Sequence, residues 1–117
     1  MKITRLYTGA DNESHFGEID IELRDIGNSA SRMSDPLKST GMVFRNTTGD
    51  YHLDWHNAPR RQFVVILDGQ VEIEIGDGTK RRFGPGEIFL AEDTTGHGHI
   101  SRAVDDQPRR SVFIFVD

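Results

Sequence analysis

The sequence predicts an all-β fold, an antiparallel jelly-roll β-barrel, on three observations. Short apolar runs, alternating or continuous, follow one another along the whole chain. Tight-turn signals separate them, among them Asp68-Gly69 between two such runs and Gly84-Pro85-Gly86 before another. No segment shows a sustained helical period. Roughly nine or ten short strands punctuated in this way fit a sandwich or a small barrel.

Taken in order, residues 3 to 8 read as a first strand. Glu18 to Leu23 alternates, with Ile19, Ile21 and Leu23 on one face and acidic residues on the other, as a half-buried strand should. Residues 28 to 40 mix small polar residues with one proline and no period, so a loop crossing one end of the barrel is expected there, in a position to act as a lid. Met42 to Arg45 is a brief strand, residues 46 to 50 (NTTGD) a turn, and Tyr51 to His56 an extended run that residues 57 to 60 (NAPR) break. Gln62 to Leu67 and Gln70 to Ile75 flank the Asp68-Gly69 hairpin signal; in the second run Val71, Ile73 and Ile75 face one way and Glu72 and Glu74 the other. Lys80 to Phe83, Glu87 to Ala91, His97 to Ala103 and Arg109 to Val116 complete the set. Two runs, residues 63 to 67 and 112 to 116, are apolar on both faces, which predicts a homodimer that covers the outer one.

A chain of 117 residues is one domain, residues 1 to 117. Nineteen acidic against 14 basic residues give a net charge of −5, and the basic residues are scattered, which argues against a nucleic-acid partner. There is no cysteine, so any metal site must use nitrogen and oxygen ligands. Neither a signal-peptide core nor a membrane span is recognisable, and a cytoplasmic location is the default expectation.

Four of the five histidines lie at the two ends of residues 51 to 101: His52 and His56 at the start, His97 and His99 at the finish. The spacing of this stretch resembles the cupins, specifically the small single-domain bacterial cupins. Their first motif runs G-x5-H-x-H-x3,4-E-x6-G and their second G-x5-P-x-G-x2-H-x3-N. With Gly69 closing the first motif, Gln62 stands where the family has glutamate, His56 takes the second histidine and Asp54 the first, while Asp50 replaces a glycine. With Gly86 opening the second, Glu92 falls at the proline, Thr94 at the second glycine, His97 at the histidine and Ser101 at the asparagine. Residues 93 to 99 (DTTGHGH) also resemble a stretch that ends the second motif in small bacterial cupins, which implies His99 rather than His97 as the functional histidine. The resemblance implies a jelly-roll barrel with a divalent metal and a small, acidic organic molecule in its mouth, and an oxygenase, isomerase or lyase activity. The alternative is a metal-free barrel that binds a small molecule without turning it over.

The residues support the same chemistry independently. Alternate residues of a strand share a face about 6.6 Å apart, so Asp54 can converge with His56, and His97 with His99, whereas His52 lies about 13 Å from His56. The expected ligand set is His56 and His99 with Gln62 or His97, and Asp54 either as a direct ligand or as a partner orienting an imidazole. Such a set suits iron, manganese, nickel or zinc. Arg60 shares parity with Gln62 and is a candidate to clamp a substrate carboxylate, against the plainer reading of Arg60-Arg61 as a solvated loop. Glu92-Asp93 reads as a turn, or else Asp93 supports His99. His52, too far along the strand to share an ion with His56, reads as a packed residue that donates to a backbone carbonyl.

Overall fold

A computed structural model describes residues 1–27 and 30–116. Twelve strands run in order: β1 (Lys2–Thr8), β2 (Ser14–Asp20), β3 (Arg24–Asp25), β4 (Arg32–Met33), β5 (Ser39–Thr47), β6 (His52–His56), β7 (Gln62–Asp68), β8 (Val71–Glu74), β9 (Lys80–Phe83), β10 (Ile88–Glu92), β11 (His99–Ala103) and β12 (Arg109–Val116). They form a six-stranded sheet of order β2-β1-β10-β7-β12-β5, a four-stranded sheet of order β6-β11-β8-β9, and a small ribbon of β3 and β4. No helix occurs among the described residues.

Period-two patterning explains the two layers. In β7 Gln62, Val64 and Ile66 turn inward; in β8 Val71 and Ile73 do the same. On the outer face of β8, Glu72 accepts from Arg82 and Arg102, and Glu74 from Arg102. The core joins Leu6, Val64, Ile66, Val71, Ile73 and Phe89 between the sheets, with the rings of Phe83 and Phe89 4.4 Å apart. The hairpin at Asp68-Gly69 is present: Gly69 has φ of 75°, and a Cβ there would lie 2.2 Å from the carbonyl oxygen of Pro108. Only glycine satisfies both demands.

The pairing is antiparallel except where β1 runs parallel to β10. The second strand lies earlier than the alternation of residues 18 to 23 suggested, at Ser14–Asp20. It pairs residue by residue with β1, from Thr8↔Ser14 to Lys2↔Asp20, and Ile21 donates to the carbonyl of Met1 where β1 ends. The strand therefore stops where its partner does, whatever the pattern beyond. The segment expected to be a loop, 28 to 40, departs from that in two places. Residues 32–33 pair with 24–25, and β5 begins at Ser39; residues 28 and 29 lie outside the described residues. Among the described residues no helix is long and apolar enough to cross a membrane.

The two sheets leave β5 and β6 as edge strands, and both contribute to one pocket between the layers.

Candidate functional site

The pocket encloses about 580 Å³. β6 and β11 supply Leu53, His56, His99 and Ser101; β7 and β10 supply Gln62, Val64, Phe89 and Ala91; β5 and β12 supply Val43, Arg45, Arg109, Phe113 and Phe115. Tyr51 and Arg60 come from the segments flanking β6. Among the described residues no aspartate or glutamate lines it.

His99 is fixed from behind. Its Nδ1–H donates to Oδ2 of Asp93 at 2.6 Å, and the hydroxyl of Ser14 donates to the same oxygen at 2.7 Å. Asp93 is completely buried, and its Oδ1 has no hydrogen-bond partner among the described residues. Since a carboxylate accepts, the proton of the neutral imidazole is on Nδ1 and the Nε2 lone pair is left for the pocket. The turn that carries Asp93 is held by Asn57, whose amide donates to the carbonyls of Asp93, Thr95 and Gly96 at 3.3, 2.9 and 3.1 Å.

His56 is set up in the same way by a different partner. Its Nδ1–H donates to the carbonyl of Asp54 at 2.7 Å, leaving Nε2 unprotonated, with Ser101 Oγ 3.5 Å away and the Tyr51 hydroxyl 3.3 Å beyond that. The two imidazole centroids lie 4.4 Å apart. Burial lowers the pKa of His56 below its ordinary value of 6.5. The hydrogen bond to Asp54 opposes that, the neighbouring His99 reinforces it, and Asp93 opposes it more weakly.

The expected face-sharing of Asp54 with His56, and of His97 with His99, does not occur. Across β11 and β6, His99 pairs with His56 but Ser101 pairs with Leu53, so three positions of β6 span two of β11. This bulge lets both Leu53 and His56 face the pocket and turns Asp54 outward, where its carboxylate accepts from the amide of Trp55. Asp54 thus orients His56 through its backbone carbonyl. On the other strand Gly98, with φ of 82°, breaks the alternation between His97 and His99, and a Cβ there would lie 2.1 Å from the carbonyl oxygen of His56. His97 is thrown to the outside, stacked on Trp55 at 4.1 Å and bonded to Glu13 at 2.7 Å. His52 is exposed and outside the pocket lining. The structure therefore brings together His56, Gln62, His99 and Arg60, and separates His97 and the Asp54 carboxylate from them.

Arg60 stands over the ring of Phe115 at 4.3 Å at the exposed end of the pocket. Arg45 lies over Phe113 at 4.7 Å, and Arg109 over Tyr51 at 5.5 Å. None of these three has a carboxylate partner among the described residues, in contrast to Arg5 and Arg61 on Glu92, Arg24 on Asp35 or Arg110 on Asp68. Sequence reasoning passed over Tyr51, Ser101, Arg45 and Arg109 as pocket residues and Ser14 as a support. Parity in residues 109 to 115 places Arg109 on the same face as Phe113 and Phe115, a usable signal; the Ser14–Asp93 bond joins positions 79 apart and has no local signature.

No family model and no curated protein matches the chain. Solved structures resemble it with probability 1.00. A cupin 2 conserved barrel domain protein from Leptotrichia buccalis matches over 100% of this chain and 41% of its own length, with 16% identity and a TM-score of 0.52. Another, from Salinispora arenicola, matches over 73% of this chain and 71% of its own, with 15% identity and a TM-score of 0.52. A Klebsiella pneumoniae protein with a double-stranded β-helix domain matches over 80% and 82%, with 17% identity and a TM-score of 0.51. The fold is thus the cupin-type jelly roll.

Two outcomes follow from the buried histidine support. Replacing Ser14 by alanine removes one donor to a carboxylate that has no exposure, and unfolding in urea should show a loss of about 1–3 kcal/mol. The lowered pKa of His56 means that, around and below 6.5, the unfolded chain binds a proton that the folded chain resists. Stability should be complete above pH 6.5 and fall as pH drops through that value, and His56→Gln should flatten that part of the curve measured by urea midpoints on metal-free protein.

Proposed function

We propose that the protein binds a small organic acid in the mouth of its barrel, with its reacting or recognised end against His56 and His99 and with Arg60 drawing the anion in. Supporting this is the meeting of two imidazoles, each with Nδ1 committed to an acceptor and Nε2 unprotonated, in a pocket of about 580 Å³ that is walled mainly by apolar side chains and has no carboxylate among the described residues that line it. In such a setting His99, backed by Asp93, is equipped to take a proton from a bound molecule and to be stabilised as imidazolium by the carboxylate behind it. Ser101 and Tyr51 continue a hydroxyl chain from His56.

A second reading, a divalent transition metal held by His56, His99 and Gln62, is favoured by the same Nε2 atoms, because an imidazole anchored through Nδ1 is what a metal ligand requires. An ion there would polarise a carbonyl of the bound acid. The fit is incomplete: Gln62 offers only a neutral amide, and among the described residues no group of three His, Cys, Asp or Glu side chains is placed to hold an ion. An ion of iron, manganese, nickel or zinc would depend on the carboxylate of the ligand to complete its charge and coordination.

Titrating small carboxylates into the protein should move the ring resonances of His56 and His99 but not those of His52 and His97. If none of the four moves, the pocket does not bind acids. Metal content after reconstitution decides the second reading: Gln62→Glu should retain more than wild type, with His56→Ala and His99→Ala retaining none. Equal content in wild type and both alanine variants leaves the metal-free binder.

We also propose that the outer face of the six-stranded sheet pairs with a second copy of the chain. Two apolar rows cross the strands there, Phe44-Val112-Val65-Ile88 and Met42-Ile114-Phe63, each link being a strand-pair register, and the second row ends on Leu90, which the chain itself already buries. Phe44 is 75% exposed and Met42 55%, at an edge strand nine residues long. Light scattering at micromolar concentration should give about twice 13.2 kDa, and Phe44→Lys with Val112→Lys should halve it. A wild-type mass of 13.2 kDa would show that this face stays bare.

A further inference from the structure

We infer that Arg109, assisted by Arg45 and Tyr51, seats the carboxylate of the bound acid, and that the ligand is a monocarboxylate with an apolar body whose other end meets His56 and His99. This deepens the organic-acid reading above and depends on it.

Arg109 opens β12 and shares its inward face with Ser111, Phe113 and Phe115. It is only 7% exposed, its Nε has no hydrogen-bond partner, and no carboxylate meets it among the described residues. Thr47 lies directly opposite on β5 and Ser111 two positions along, and the hydroxyls of both are also buried without a partner. Of the four buried side-chain polar atoms left unpaired among the described residues, three therefore sit on neighbouring positions of one patch of sheet. All three can donate, and Arg109 Nε can do nothing else, so an acceptor brought to the patch would answer a demand that the arginine cannot meet by turning round. Arg45, paired with Ser111 and thus diagonal to Arg109, adds a second positive charge from the pocket side.

A charge taken out of water without a counter-ion is costly to the fold, and the other buried charge, Asp93, is given partners. Burial pulls the pKa of Arg109 below its ordinary value; Tyr51 opposes this and Arg45 adds to it. The field at this end of the pocket is therefore positive and uncompensated. A carboxylate answers it with planar, two-point geometry that a guanidinium matches. One negative charge suffices, because Arg45 is exposed and shielded by water while Arg109 is nearly buried. A phosphate dianion would bring a second charge with no buried partner.

Distance sets the rest of the ligand. Arg109 lies against the ring of Tyr51, 5.5 Å from its centroid, and the far end of that side chain, the hydroxyl, reaches His56 Nε2 through Ser101 Oγ in steps of 3.3 and 3.5 Å. Val43, Leu53, Val71 and Phe113 line the pocket along with them, all apolar. Between guanidinium and imidazoles these four side chains meet the hydrocarbon of the ligand, with the Tyr51 and Ser101 hydroxyls along one wall.

Calorimetry on the full, chelator-treated chain with octanoate, octanol and inorganic phosphate tests this. Octanoate should bind roughly tenfold or more tighter than octanol, the effect expected of a charge-assisted bidentate bond, and phosphate should neither bind nor displace it. Arg109→Gln should bring octanoate down to the affinity of octanol and leave octanol unchanged. Should that variant not fold, the side-chain Nε–H resonance of Arg109 in wild type decides: it should shift with octanoate and stay still with octanol. Equal affinities and an unmoved Arg109 resonance, with His56 and His99 still responding, overturn the seat and keep the pocket. Silence at the arginine and both histidines overturns both, and displacement by phosphate overturns the monocarboxylate class.

Discussion

A single buried carboxylate holds the site together. Asp93 has no exposure, yet it accepts from Ser14 on β2 and from His99 on β11, so it ties the amino-terminal hairpin to the four-stranded sheet at the point where His99 enters the pocket. Burying a carboxylate is tolerable only where donors converge on it, and here the donors come from elements 79 and 6 residues away in sequence. The turn bearing it is fixed in turn by the Asn57 amide, which follows His56 directly. The backbone of Gly98 packs against the carbonyl of His56, so the two imidazoles are placed by one compact set of contacts.

Much of the fold was legible because its determinants are local. Alternation in β8 and the Asp68-Gly69 turn are properties of a few consecutive residues, and both elements stand where the sequence puts them. Legibility failed where pairing or a bulge overrides parity. Ile21 and Leu23 keep the alternating pattern, but β1 has no residues left to pair with them. Asp54 and His56 differ by two in sequence and still diverge, because β6 carries an extra residue opposite β11. Gly98 gives the plainest case: a left-handed residue between two histidines sends one into the pocket and the other onto Trp55. Glycine between His97 and His99 was visible in the sequence, but its φ was not.

The charges are divided between surface and pocket. The chain carries a net −5, and most arginines on its outer faces meet carboxylates, exemplified by Arg102 between Glu72 and Glu74. Three arginines are withheld from that pairing and rest on aromatic faces around one cavity instead. Stacking on a ring orients a guanidinium while leaving its in-plane donors unspent. An aromatic ring thus does for each of these arginines what a carboxylate does elsewhere, without cancelling the charge.

That arrangement bears on how an ion and an acid would share the barrel. With Gln62 in place of a carboxylate, a dication at His56 and His99 would find no negative charge on the pocket walls among the described residues, and three guanidiniums elsewhere in the same pocket. Its binding is opposed by like charge until an anion arrives, and an anion is in turn held more firmly by a pocket containing the ion. The two bindings would therefore be linked wherever the acid's carboxylate reaches the ion, each favouring the other by the same factor. In a barrel whose own ligands bring charge the ion is retained without help; here an ion would be held more weakly alone and more firmly with an anion beside it.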